Sequence, residues 1–132
     1  MRTSDPRFLS RTLWADALCC ASAGALQWAL VRPLAACTGL SRPLLLGTGG
    51  FLLAWACVAA WGALRMPHSR RLVAVAISGN FGWAAACLVL LGGGWLTSLP
   101  AGQAWVLGQA AIGAALGGLQ CAGLWRSRWP AR

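Results

Sequence analysis

Four long apolar runs divide the chain, at about 12–31, 44–64, 72–96 and 104–125, and the polar residues gather between them. Each run has roughly the 20 residues that a helix needs to cross the hydrocarbon core of a bilayer. The pattern predicts an all-α membrane protein with four transmembrane helices. The runs take up most of the 132 residues, which leaves no room for a separate soluble unit, so residues 1–132 read as one transmembrane domain. The connections are short: Arg32–Pro43, Arg65–Arg71 and Thr97–Gln103. Pro33, Pro43, Pro67 and Pro100 punctuate them, as residues that end helices do. Short links force consecutive helices to run antiparallel, which predicts an up-down-up-down bundle.

Charge fixes the expected orientation. Arg2, Arg7 and Arg11 precede the first run, Arg65, Arg70 and Arg71 separate the second from the third, and Arg126, Arg128 and Arg132 follow the fourth. Only Arg32 and Arg42 lie in the first connection, and the third has none. By the positive-inside rule this distribution predicts both termini and the middle connection on the cytoplasmic side. A soluble protein of net charge +9 would point to nucleic acid, but 58% hydrophobic residues and arginines confined to segment ends make the bilayer the partner instead. The absence of lysine beside abundant Arg, Ala and Gly suggests a GC-rich bacterial source and hence an inner (cytoplasmic) membrane. Trp14, Trp28, Trp61, Trp95, Trp105, Trp125 and Trp129 fall near segment ends, where an indole settles at headgroup level. Trp55 and Trp83 fall near mid-membrane, where their N–H groups need a partner in the bundle or a polar cavity.

Two processing signals compete with the first span. The basic start and apolar stretch resemble a signal peptide, and Leu34-Ala35-Ala36-Cys37 resembles a lipoprotein cleavage box. Arg32 and Pro33 interrupt the latter and Asp16 interrupts the former, so the segment reads as a retained span.

A faint internal repeat is visible. Leu45-Leu46-Gly47 precedes Arg65 by the same interval as Val106-Leu107-Gly108 precedes Arg126, and Asp16 and Asn80 hold similar places after Arg11 and Arg71. Each half would then be one helical hairpin, the two related about an axis along the membrane normal. Small residues mark expected helix contacts: Gly113, Gly117 and Gly118 on the fourth helix, and Ser78 and Gly82 on the third. These faces serve either internal packing or a partner, another membrane protein or a second copy.

Asp16 is the sharpest candidate for chemistry, since it is the one acidic residue inside a predicted span. Intramembrane acids are costly and face a bundle interior or a pathway. Asp16 pairs with Arg11, Arg70 or Arg71, or it serves as a proton or cation site. Counted inward from the flanking arginines, Asn80 and Gln120 share its level, with Ser78 close by. Turned inward, Asp16, Ser78, Asn80 and Gln120 would form one polar cluster that fastens helices or holds a small polar group. The adjacent Cys19 and Cys20 are a weak metal candidate, because the other cysteines (Cys37, Cys57, Cys87 and Cys121) are scattered. His68 is the lone histidine and there is no lysine, which excludes a bis-histidine haem and a Schiff base. No nucleophile triad, carboxylate pair or phosphate loop can be assembled, so neither an enzyme nor a bound cofactor is expected.

With Asn80-x-x-Trp83, Leu96-Thr97 and Gln120-x-x-Gly-Leu-x-Arg126 in view, the chain resembles a loose group of small bacterial four-helix inner-membrane proteins, a likeness that implies architecture alone. Cys19-Cys20 in a first helix resembles bacterial mercuric-ion transporters. A small multidrug transporter is similar in size, span number and an acidic residue in the first helix, where Asp16 stands in place of that family's glutamate. The residues together lead us to expect an accessory or scaffolding subunit, with a small proton-coupled transporter titrating at Asp16 as the alternative.

Overall fold

A computed structural model describes residues 6–65, 70–94 and 99–126. Among them the chain is all-helical: α1 (Pro6–Ala29), α2 (Val31–Thr38), α3 (Arg42–Arg65), α4 (Arg70–Gly92) and α5 (Pro100–Arg126). By length and composition α3, α4 and α5 are able to cross a membrane, and α1 with α2 make a fourth candidate if that pair, bent by 91°, is one span. Arg2, His68, Trp95, Leu96, Thr97, Arg128, Trp129 and Arg132 lie outside the described residues.

The helix ends follow from local chemistry. Pro33 has no N–H to give the carbonyl of Ala29, and its ring presses on that carbonyl, so the first helix breaks at Leu30. The chain restarts at once as α2, which corrects the expectation that 32–43 is a plain connection. α2 ends at Gly39, whose left-handed φ of 70° lets its N–H bond the Ala35 carbonyl at 2.9 Å. Ser41 Oγ then accepts the Leu44 N–H at 3.3 Å and caps α3. Pro100 opens α5, where a missing N–H costs nothing. α1 starts several residues before its apolar run, carrying Arg7 and Arg11 within the helix.

The most extensively paired long helices, α1 with α3 and α4 with α5, run antiparallel. In α1 and α3, Ser10 Oγ meets the Ala63 carbonyl at 3.4 Å, and Trp28 Nε1 donates to the Leu46 carbonyl at 3.1 Å. Between them Gly24 and Gly49 bring the backbones together, for a Cβ on Gly24 would lie 2.7 Å from the Gly49 carbonyl oxygen. α4 and α5 meet through Gly113, where a Cβ would lie 3.0 Å from the Asn80 carbonyl oxygen, and Gly117, which seats the Phe81 ring. These two pairings are the most extensive in the molecule. The pairs join at Leu9 against Gly123, and at Trp55, whose ring occupies the space of a Gly79 side chain. Thr38 ties the α2 end together: its carbonyl takes the Leu99 N–H at 3.0 Å, and its hydroxyl bonds Leu34.

Small residues therefore fill the seams. α3 buries Leu45, Gly49, Leu52, Ala56, Ala59 and Ala63 at three- and four-residue spacing, and α4 buries Val73, Ala76, Asn80, Ala84 and Cys87. Large apolar side chains such as Leu18, Trp61, Leu64, Leu88 and Ile112 face outward. In water that distribution would leave the driving force for folding unused, whereas in lipid close backbone packing is what holds helices together.

Candidate functional site

Asp16 (α1), Asn80 (α4) and Gln120 (α5) meet side by side from three different helices, and each is at most 4% exposed. Asn80 Nδ2 donates to Asp16 Oδ2 at 2.6 Å, and Gln120 Nε2 donates to the same oxygen at 2.9 Å. Asn80 Nδ2 also reaches Gln120 Oε1 at 3.2 Å, which closes a three-membered ring of side chains. The Cys20 thiol, one turn on from Asp16, donates to Oδ1 at 3.4 Å. Two amides and a thiol thus donate to the Asp16 carboxylate. This suits a low-dielectric interior, where an acid without donors would be far costlier than one that accepts several bonds.

Ser78 does not join the ring. It is exposed, because a residue two positions before Asn80 lies about 200° around the helix. It shares an outer face with Gly82, and a Cβ on Gly82 or Gly118 would meet nothing within 4 Å. Gly113 and Gly117 are internal. Cys19 is exposed, and no group of three or more His, Cys, Asp or Glu side chains suited to a metal occurs among the described residues.

The sequence did not single out buried Gln27 or the half-buried Thr48 that bonds it. Gln27 is 1% exposed, and the Thr48 hydroxyl lies 2.7 Å from its Oε1 and 2.7 Å from the Leu44 carbonyl. A glutamine alone among apolar residues was the available signal. Threonine gives none, since its hydroxyl is satisfied by its own helix.

α1 and α5 touch beside Asp16 and Gln120 and then diverge toward the α2 end. The wedge between them is a cavity of about 710 Å³, a size typical of small-molecule sites. Leu18 and Ile112 stand exposed at its rim, Leu52 and Trp83 back it, and Asn80 and Cys20, both bonded to Asp16, line it as well. Among the described residues no charged side chain lines it. No protein-family model matches the chain, and no curated protein or solved structure matches it either.

Proposed function

We propose that the chain is an inner-membrane protein with four crossings and cytoplasmic termini that acts by binding, as an accessory or scaffolding subunit packed against a larger membrane complex or a second copy. The observation that carries this reading is the division of the small residues. Gly113 and Gly117 are consumed inside the fold, while Ser78, Gly82 and Gly118 stand on the outside with room for an approaching helix. Small outward residues in lipid permit the close backbone approach that larger side chains would prevent. The polar ring fits the same picture, because each amide in it bonds another member and it fastens three helices.

The hairpin repeat belongs to this proposal. Asp16 and Asn80, at matching places in the two halves, are bonded directly to each other, as equivalent residues beside a two-fold axis would be. The test is assembly. Gly82→Leu and Gly118→Leu should leave thermal stability nearly unchanged, since nothing lies in the way, yet reduce the partner or second copy retained in mild detergent. Retention equal to the parent protein's in both variants would overturn the scaffold reading.

A proton-coupled transporter is the second reading, favoured by one observation: Asn80 and Cys20 connect Asp16 to the cavity wall. It requires that Asp16→Asn abolish pH-driven flux in reconstituted vesicles, and persistence of that flux sinks it.

A further inference from the structure

Among the described residues the cavity between α1 and α5 offers donors and no charge. Gln109 and Ser22 line it, as does Trp83, and none of the three hydrogen-bonds another group among the described residues. Trp83 Cδ1 lies 3.5 Å from where a Cβ on Gly113, another residue of the cavity wall, would be. An amide, an indole N–H and a hydroxyl are all able to donate, and the indole can only donate. At hydrocarbon depth such groups are strongly disfavoured unless something accepts from them. The occupant is therefore neutral and carries acceptors.

Depth narrows it further, on the membrane reading proposed above. α5 has 27 residues and so spans about 40 Å, the thickness of a bilayer with its headgroups. Gln109 is nine residues past Pro100, about 13 Å in, well inside the roughly 30 Å hydrocarbon core. A phospholipid's carbonyls are held above that level by its charged headgroup, so the acceptor belongs to a molecule without one.

The opposite side of the bundle shows what shape fits. Between α3 and α4, the Phe51 ring stacks on Trp83 at 5.3 Å between centroids and 12° between planes, and on Trp55 at 6.2 Å. When Leu45-Leu46-Gly47 is aligned with Val106-Leu107-Gly108, Phe51 corresponds to Ile112 at the cavity rim. The protein fills one side with its own flat rings and leaves the other open. We propose that this cavity binds a neutral lipophile whose flat ring bears hydrogen-bond-accepting carbonyls, the chemistry of a quinone head, with Gln109 as its principal donor.

The test uses the full chain in nanodiscs and a tritiated decyl-benzoquinone as probe, after an alkaline wash of the source membranes. The expected result is retention through the wash and saturable binding of one probe per chain above bulk partition. Gly108→Leu should lower affinity at least tenfold, because Gly108 lines the cavity and a Cβ there meets nothing within 4 Å. Gln109→Leu, which keeps the volume, should weaken binding about fivefold to tenfold, the worth of one hydrogen bond. If Gly108→Leu fails to fold, Gln109→Leu carries the test. Release of the chain by alkali would overturn the membrane reading and this proposal with it. Retention without saturable binding, affinity unchanged in the variants, or a co-purified phospholipid that the probe cannot displace would overturn the quinone site alone.

Discussion

At the scale of single residues, the polar ring makes an asymmetric prediction. Asn80→Leu removes a 2.6 Å donor from Asp16 and leaves a buried acid short of a partner, which should cost about 2–3 kcal/mol. Asp16→Leu removes the acid itself, and the amides still bond each other, so it should cost less. The double variant also strips the buried Gln120 amide of both its partners, so its loss should differ from the sum of the two single losses. Thermal unfolding of the three variants in one detergent checks this, and strictly additive losses would show that the pair is not coupled. The depth of Asp16, Asn80 and Gln120 was legible because polar atoms are rare in these runs and the flanking arginines give a ruler. Their bonding was not, since depth says nothing about which way a side chain faces. Ser78 shows the difference: it shares the depth, but a two-residue offset turns it outward.

At the scale of elements, the long helices were legible from the apolar runs, whereas α2 was not. Arg32 and Pro33 read as a break, and they are one, but a break in one helix is also compatible with an immediate start of the next at a new angle. The pairing of α1 with α3 rests on a backbone contact that sequence marks only as scattered glycines. Gly24→Ala puts a Cβ 2.7 Å from the Gly49 carbonyl oxygen, and backbone has no rotamer to yield. The two helices must part along their length, costing about 1–3 kcal/mol. Gly47→Ala, on the same pair of helices, meets nothing within 4 Å and should change stability by about 0.5 kcal/mol or less. Equal effects of the two substitutions would mean that close backbone approach does not hold this hairpin together. The cavity was invisible at this level too: Gly108, Gln109 and Ile112 look like ordinary apolar helix, and only the divergence of α1 from α5 leaves a space beside them.

At the scale of the whole molecule, the arginine distribution and the placement of the six free cysteines combine into a test of orientation. Cys37 is exposed on the short helix α2, beside Arg32 and Arg42 in sequence, at the end of the bundle opposite Arg65 and Arg70. Cys19, Cys57 and Cys121 are exposed as well, but each lies within a long helix, Cys57 and Cys121 in ones apolar enough to cross a membrane. In water all four would react with a maleimide at comparable rates, since all four are accessible. In a bilayer the hydrocarbon shields the three helical ones from a charged reagent that cannot enter it, and Cys37 alone should react. Side is then read from integrity. On the proposed orientation, which puts the nine arginines of the termini and middle connection on the cytoplasmic side, Cys37 should be labelled by a membrane-impermeant maleimide in intact spheroplasts, and Cys37→Ser should abolish that labelling. Labelling that appears only after lysis would invert the orientation. Rapid labelling of Cys19, Cys57 and Cys121 in intact membranes would take those helices out of the bilayer, and with them the reason for their outward leucines.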